Sequence, residues 1–203
     1  MSALDSPNTP RPLRADARRN RERVLAAARE AFAAEGISVP LDEIARRAGV
    51  GPGTVYRHFP TKEALFHAAI LDNMERTIAR ARELSAAADP GSAFFEFLGG
   101  LLAESTVKRD LADAVGGNLS AQSGADAAHG QLSPEFVAPQ KTLVALIGSL
   151  LHRAQDCGAV RPDLAVDDLM LVLKGAFMAT AQAAGDEQRR RAFAVILDGL
   201  RAR

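Results

Sequence analysis

The segment 52–62 concentrates side chains that can donate hydrogen bonds, and it lies directly after a glycine-rich stretch. The donors are a hydroxyl, a phenol, a guanidinium, an imidazole and an ammonium group, carried by Thr54, Tyr56, Arg57, His58 and Lys62. Such groups bind phosphate oxygens, and an arginine also matches the edge of a guanine base. The pattern therefore indicates a surface that binds nucleic acid rather than a catalytic site.

Small residues before this segment predict the turn that positions it. Two short helices, over residues 42–48 and from Pro52 to about His58, need a tight turn between them. Gly49 can adopt the left-handed backbone conformation of such a turn, and Ala45 is small enough to let the next helix approach. We therefore predict a helix-turn-helix. Its second helix leaves an exposed face that carries Gly53, Thr54, Tyr56, Arg57 and His58.

Apolar residues recur at helical spacing along most of the remaining chain. A first helix is expected from about Asp16 to Glu35, and Thr61 is a good N-cap for a long fourth helix. Apolar residues make up 47% of the 203 residues, which favours a packed fold. We expect an all-α protein. An N-terminal three-helix helix-turn-helix domain is joined by a long helix to a larger C-terminal helical domain.

Charge is unevenly distributed although the net charge is zero. Residues 1–62 hold eleven Lys and Arg against seven Asp and Glu, a net charge of +4, and residues 63–203 hold fourteen against eighteen, a net charge of −4. This asymmetry predicts a polyanionic partner at the basic end. A solvated helix face is the alternative for an arginine cluster taken alone. The arginines are densest at Arg11, Arg14, Arg18, Arg19, Arg21 and Arg23.

Motifs for catalysis, metal binding or cofactor binding are absent from the sequence. There is no phosphate-binding loop and no dinucleotide fingerprint, and the candidate ligands lack metal-site spacing. These candidates are His129, His152, Asp156 and Cys157. Asp167 and Asp168 stand at an expected helix start, where carboxylates cap. We predict a protein that is not an enzyme and holds no metal or cofactor.

The sequence also predicts a cytoplasmic location. Cys157 is the single cysteine, so no internal disulfide can form, which fits a reducing compartment. No apolar run reaches the ~18–20 residues of a membrane span. The N-terminal residues lack the apolar segment of a signal peptide.

The segment "DEIARRAGVGPGTVYRHFPTKEALF" resembles the DNA-binding domain of the TetR family of one-component transcriptional repressors. A first helix ending "AREAFAAEGI" precedes it at a typical distance, and the resemblance covers roughly residues 18–70. The alanine, the turn glycine, the Tyr-x-x-Phe pair and the following Lys-Glu-Ala-Leu stand in the family register. One departure is Val39-Pro40, where the family often has a threonine that caps helix two and contacts phosphate. Ser38 is the candidate substitute.

The resemblance implies separate roles for the residues on the outer face. Those over base edges would be Pro52, Gly53 and Arg57, and those on phosphates would be Thr54, Tyr56, His58 and Lys62. Further DNA contacts are expected from Arg18, Arg19, Arg46 and Thr61. Two alternatives stay open, which are that Tyr56 packs against the first helix and that Arg46 is only solvated.

The resemblance also implies roles for the C-terminal helices. Helices around residues 140–156 and 187–201 would form a four-helix bundle with a second protomer. The expected interface residues are Leu143, Ile147, Leu150, Leu151, Phe193, Ile196, Leu197 and Leu200. An inducer pocket would involve Phe94, Phe97, Leu101, Met170, Lys174, Phe177 and Met178. Ordinary core is the alternative for each pocket candidate, and Lys174 reaching the surface is a further one.

By this resemblance the protein is a DNA-binding transcriptional regulator, and most simply a homodimeric repressor released from a palindromic operator by an unidentified small molecule. The expected domains are a disordered basic arm over 1–14, a DNA-binding domain over 15–62, and a ligand-binding and dimerisation domain over 63–203. A helical adaptor that binds proteins and carries a vestigial DNA-binding segment is the alternative. Salt-sensitive binding to sheared DNA distinguishes the two.

Overall fold

The computed structural model describes residues 11–103, 134–180 and 185–202. These ranges contain eight α-helices and no β-strand beyond one isolated bridge between Val160 and Arg201, which confirms the all-α prediction. The helices are α1 (Arg11–Glu35), α2 (Leu41–Ala48), α3 (Pro52–His58), α4 (Lys62–Ser85), α5 (Pro90–Ala103), α6 (Pro134–Asp156), α7 (Val166–Thr180) and α8 (Asp186–Gly199). None of them is long and apolar enough to cross a membrane.

The chain forms two compact units that divide within α4. The N-terminal unit ends at Ala69, and the C-terminal unit begins at Ile70. The sequence placed a domain boundary after residue 62, where α4 begins. The functional division of the chain into these domains stays a prediction.

The N-terminal unit is built on α1, which packs against both α2 and α3. Apolar side chains at helical spacing on α1 meet the inner residues of the two short helices, and all of these are buried. They include Val24, Leu25, Ala28, Ile44, Ala45 and Val55. Burial of this single stripe fixes α2 and α3 and leaves the opposite side of α3 exposed.

Helix α1 begins at Arg11, earlier than the expected Asp16. Pro12 is compatible with this earlier start, because a proline in the first helical turn costs no hydrogen bond. The last four residues of the expected arm are therefore helical, which corrects that part of the prediction. Residues 1–10 of the arm lie outside the described residues.

The C-terminal unit is centred on α5, which packs against α6 and α8, while α7 packs against the same two helices. Phe94, Leu98 and Leu102 of α5 are fully buried in one continuous apolar core. Helix α6 ends at Asp156, and Gly158 follows with a φ of 75°. Arg153 donates hydrogen bonds to the carbonyls of Ser85 and Ala87, so it satisfies carbonyl groups at the end of α4.

Candidate nucleic-acid interface

The turn between α2 and α3 has the predicted backbone. Gly49 has a φ of 62° and a ψ of 38°, and the N–H of Val50 donates to the carbonyl of Ala45 at 3.0 Å. A Cβ atom at Gly49 would lie 2.5 Å from Nη2 of Arg23, which donates to the Gly49 carbonyl at 3.2 Å. The left-handed conformation and the close arginine both favour glycine at this position.

Helix α3 presents the outer face that the sequence predicts. Val55 is buried, whereas Pro52, Gly53, Tyr56 and Arg57 are exposed. Thr54 and His58 are half-buried. A Cβ atom at Gly53 would have no neighbour within 4 Å, so the start of α3 is open to close approach by another molecule.

Arg57 and Tyr56 carry the donors of α3 that are most available to a partner. Tyr56 is 48% exposed, so a large part of this side chain is available to a partner. Within the ranges that the structure describes, neither residue has an ion pair or a hydrogen bond through its side chain. An exposed guanidinium with no intramolecular acceptor is free to bind an external one.

Thr61 and Lys62 have structural contacts as well as exposure to solvent. The hydroxyl of Thr61 accepts a hydrogen bond from the N–H of Ala64 at 3.1 Å, as predicted for an N-cap of α4. Nζ of Lys62 donates to the carbonyl of Ser38 at 3.2 Å. The Ser38 hydroxyl donates to the Glu35 carbonyl at 3.2 Å, so it does not cap α2, which has no side-chain cap.

The four arginines between residues 18 and 23 of α1 divide into two groups. Arg18 and Arg19 are exposed and pair along the helix, Arg18 with Glu22 at 3.6 Å and Arg19 with Asp16. The second group, Arg21 and Arg23, is also exposed but contacts other parts of the unit, and sequence reasoning did not separate it from the first. The guanidinium carbon of Arg21 lies 5.5 Å from the ring centre of Phe59, and Arg23 bonds the turn at Gly49.

Helical spacing was the available signal for this second group. Arg21 stands four residues before Leu25, and Arg23 stands four residues before Ala27. Leu25 and Ala27 are both buried. Residues four apart lie on one side of a helix, so both arginines border the buried stripe. We interpret them as residues that stabilise the helix-turn-helix itself.

The carboxylate of Glu43 on α2 binds two arginines, and one of these arginines also pairs with the end of α1. Oε1 of Glu43 accepts from Nη2 of Arg46 and from Nε of Arg47, both at 2.7 Å, and its Oε2 accepts from Nε of Arg46 at 2.8 Å. Arg47 also pairs with Glu35 at 2.6 Å. Hydrogen bonds from Arg46 and then Arg47 lower the pKa of Glu43 from its ordinary value of 4.5 to about 2.

The pocket candidates of the C-terminal unit separate by burial. Phe94 and Phe97 are core residues, and Leu101, Met170 and Phe177 pack partly buried against that core. Lys174 and Met178 are exposed, which corrects their assignment to an interior pocket. The reason is helical phase, because α7 turns Leu169, Leu173 and Ala176 inward.

Most of the expected interface residues are already buried within one chain. Ile147, Leu150, Leu151, Phe193 and Leu200 belong to the core of the C-terminal unit, which corrects their assignment to a contact with a second protomer. Leu143, Ile196 and Leu197 pack against that core partly buried. The cause is α5, which covers the apolar stripes of both α6 and α8.

Apolar exposure in this unit lies elsewhere, on α7 and α8. Leu171 is 70% exposed and Val195 is 73% exposed, and Val172 and Met178 are also exposed. Because α7 and α8 pack against each other, these side chains belong to one pair of helices. We call Leu171, Val172, Met178 and Val195 the apolar face.

Of the candidate metal ligands, His129 lies outside the described residues. Elsewhere, in residues 11–103, 134–180 and 185–202, no group of three or more His, Cys, Asp and Glu side chains is placed to hold a metal ion.

Comparisons with known proteins agree with this geometry. Residues 24–69 match the family model for bacterial regulatory proteins of the TetR family. Residues 89–202, more than half of the chain, match the model for the C-terminal domain of SbtR-like transcriptional regulators. The chain belongs to the TetR family of transcriptional regulators. It is therefore a helix-turn-helix, DNA-binding regulator, and its relatives are regulators rather than enzymes.

Individual TetR-family relatives cover most of the chain. The regulator UidR of Escherichia coli strain K12 is 30% identical over 157 residues, which are 75% of this chain and 74% of UidR. A TetR-family crystal structure from Mycobacterium vanbaalenii is 42% identical, with a TM-score of 0.69, and the match covers 94% of this chain and 100% of that chain. A Streptomyces coelicolor regulator is 30% identical, also with a TM-score of 0.69, over 90% and 98% of the two chains.

Proposed function

We propose that this TetR-family regulator is a repressor that reads a palindromic operator with α3 and leaves it when a small molecule binds the C-terminal unit. The proposal that α3 reads DNA rests on the exposure of Arg57. This arginine is exposed on the outer face of α3 and has no acceptor among the residues that the structure describes. An α-helix fits the major groove, and an arginine there pairs with the O6 and N7 atoms of guanine.

The other residues of the outer face support contacts to the DNA backbone. Thr54, Tyr56 and His58 stand beside Arg57 on α3, and their donors suit phosphate oxygens. Pro52 and Gly53 present little bulk at the start of α3, which favours close approach to base edges. Arg18, Arg19, Arg46, Thr61 and Lys62 are proposed as further backbone contacts.

Dimerisation is proposed through the apolar face rather than through the buried stripes. TetR-family regulators are dimers, and two-fold symmetry matches a palindromic operator. The exposure of Leu171 and Val195 supports this assignment, because large apolar side chains on a packed helix pair are typical of an interface. A cytoplasmic location is proposed with this function, since the DNA lies there.

The inducer is proposed to bind within the C-terminal unit. TetR-family regulators bind small molecules, and this unit carries the partly buried side chains Leu101, Met170 and Phe177 beside its core. Asn73 supports the same proposal. It is buried, and its amide nitrogen has no hydrogen-bond acceptor in the part of the chain that the structure describes. A ligand oxygen would satisfy this donor.

The test is a binding titration with two duplexes at two salt concentrations. One duplex carries the sequence that the protein enriches from a random pool, and the other is its scrambled version. Replacing Arg57 with Ala should cost ~1–3 kcal/mol on the enriched duplex and relax base preference at one position of each half-site. Lys62→Ala should weaken both duplexes alike, because a phosphate contact carries no sequence information.

Arg82→Ala is the matched control, because Arg82 is an exposed arginine of the C-terminal unit. It should leave both affinities close to those of the wild type. Equal loss on the two duplexes for Arg57→Ala would show that Arg57 holds phosphate rather than a base. Wild-type protein that binds neither duplex in a salt-dependent way would favour the adaptor alternative instead.

A further inference from the structure

The ion pairs on the outer side of α2 differ in how exposed their arginines are. The side chain of Arg46 is 73% exposed, whereas that of Arg47 is 31% exposed. Arg47 has two carboxylate partners, Glu43 on its own helix and Glu35 at the end of α1, so it ties the two helices together. Arg46 has Glu43 as its one ion-pair partner in the described part of the chain.

Arg46 is placed where DNA contact is expected. In helix-turn-helix proteins the helix before the recognition helix crosses the DNA backbone. Arg46 lies on α2 and is open to solvent, yet its guanidinium is bound by Glu43 through both Nε and Nη2. This is the fork geometry with which an arginine binds a phosphate group. The carboxylate therefore occupies the groups that a phosphate would use.

From this geometry we infer that Glu43 holds Arg46 back from the DNA backbone and so sets the strength of DNA binding without changing the sequence that is read. The inference rests on the proposed placement of α2 against DNA. Glu43 is a positioning residue that acts through Arg46. Arg46 can bind either Glu43 or a phosphate, and the two acceptors compete.

The exchange is feasible because neither group is left without a partner. When Arg46 moves to phosphate, Glu43 keeps its hydrogen bond to Arg47. The carboxylate is charged at every pH near neutrality, since its pKa lies near 2. The competition therefore operates under all ordinary binding conditions, and an exposed pair of this kind has a modest strength.

The experiment replaces Glu43 with Gln and measures binding to the enriched and scrambled duplexes over a range of salt. Affinity for both duplexes should rise by about two- to five-fold for each bound protomer, which is the range of an exposed ion pair. The ratio of the two affinities should stay unchanged, because the added contact goes to phosphate. The salt slope should steepen by about 0.9 for each added contact.

Asp42→Asn is the matched control. Asp42 precedes Glu43 in the first turn of α2, is exposed, and has no ion pair within the described ranges, so its replacement removes the same charge without freeing an arginine. It should raise affinity less than Glu43→Gln and leave the salt slope unchanged. Equal effects of the two variants would show that Glu43 acts only through its negative charge and not through Arg46, which would overturn the inference.

The dependence on Arg46 is tested by a double-mutant cycle. Adding Arg46→Gln to Glu43→Gln should abolish the gain in DNA affinity. Arg46→Gln alone should change the affinity of the wild type less than it changes the affinity of Glu43→Gln. A gain that survives without Arg46 overturns the inference, and so does a loss of affinity in Glu43→Gln. If Glu43→Gln is not fully folded at the temperature of the titration, Glu43→Asp replaces it, because the shorter side chain keeps the charge but withdraws from Arg46. Wild type that fails to bind DNA would refute the proposed function instead.

Discussion

The two compact units differ in what they leave exposed. The N-terminal unit exposes hydrogen-bond donors on α3, among them Arg57 and Tyr56, while most of its apolar side chains are buried around α1 and Ile37 is an exposed exception. The C-terminal unit exposes large apolar side chains on α7 and α8, such as Leu171 and Val195. Exposed donors without acceptors suit a polyanion, and an apolar face suits another apolar surface. The difference predicts a separate kind of partner for each unit.

The largest expected effects separate the core of the C-terminal unit from its apolar face. Leu150→Ala should lower the free energy of unfolding by about 2–5 kcal/mol, because Leu150 is buried within one chain. The double variant Leu171→Asp with Val195→Asp should leave the fold intact and dissociate the dimer, since both side chains are exposed in the single chain. Thermal unfolding and sedimentation measure the two outcomes.

The contrasting result would place the interface elsewhere. If the double Asp variant stays dimeric at micromolar concentration, the apolar face is not the contact between protomers. If the wild type itself is monomeric at micromolar concentration, the proposed dimerisation through the apolar face is wrong. A stable Leu150→Ala monomer would restore Leu150 to the interface that the sequence alone suggested.

The helix-turn-helix could be predicted closely from the sequence because its constraints are local. The left-handed turn favours glycine at Gly49, the start of a helix tolerates Pro52, and the buried side takes the apolar Val55. Each of these residue types therefore indicates its local environment. The bounds of α3 were predicted as Pro52–His58, and the structure has the same bounds. Local rules failed at the start of α1, where Pro12 permits a helix that its composition did not suggest.

The C-terminal unit could be predicted only in part. The spacing of apolar residues shows which side of a helix is buried, but it does not show which other helix packs against that side. Leu150 and Phe193 follow the helical period whether they pack against α5 or against a second chain. Lys174 shows the same limit, since a charge within an apolar segment fits either a pocket or the surface. The missing information is the packing of α5 on α6 and α8, which depends on contacts distant in sequence.

Glycine variants in the two units test the difference between these units, and their expected effects are of intermediate size. Gly49→Ala and Gly158→Ala each place a side chain at a positive φ, of 62° and 75°, and each should lose about 1–2 kcal/mol of stability from backbone strain, with the larger loss at Gly49, where the new Cβ would also displace Nη2 of Arg23. Gly53→Ala has no such strain and no neighbour within 4 Å of the new Cβ, so it should be neutral or slightly stabilising at this position in the first turn of α3. DNA affinity should nevertheless fall for Gly53→Ala, because the methyl group stands at the open start of α3.

Stability and DNA affinity should therefore change independently for these three glycines. Chemical denaturation measures the first quantity, and titration with the enriched duplex measures the second. Gly158→Ala should leave DNA affinity unchanged at a temperature where the variant is folded, because Gly158 lies in the C-terminal unit. Wild-type affinity in Gly53→Ala would show that α3 does not approach the DNA closely at Gly53.

The smallest expected effects come from one paired carboxylate in each unit. Hydrogen bonds from Arg46 and Arg47 lower the pKa of Glu43 from 4.5 to about 2, and hydrogen bonds from Arg161 lower the pKa of Asp163 from 3.8 to about 2. A carboxylate with a lowered folded-state pKa stabilises the fold above its unfolded-state pKa, and this contribution is lost as the pH falls through the folded-state value. Both pairs are exposed, so the contributions are small.

The pH window distinguishes these ion pairs from other effects of the same variants. Glu43→Gln and Asp163→Asn should each lower the thermal midpoint slightly at pH 7, and the difference from wild type should shrink as the pH falls from about 4.5 for Glu43 and about 3.8 for Asp163 towards 2. Each variant reports on the unit that contains its pair. A difference that is constant from pH 7 to pH 2 would mean that the variant acts through packing or helix propensity. For Glu43 that outcome would also weaken the competition with phosphate, because the competition requires an ion pair that persists in solution.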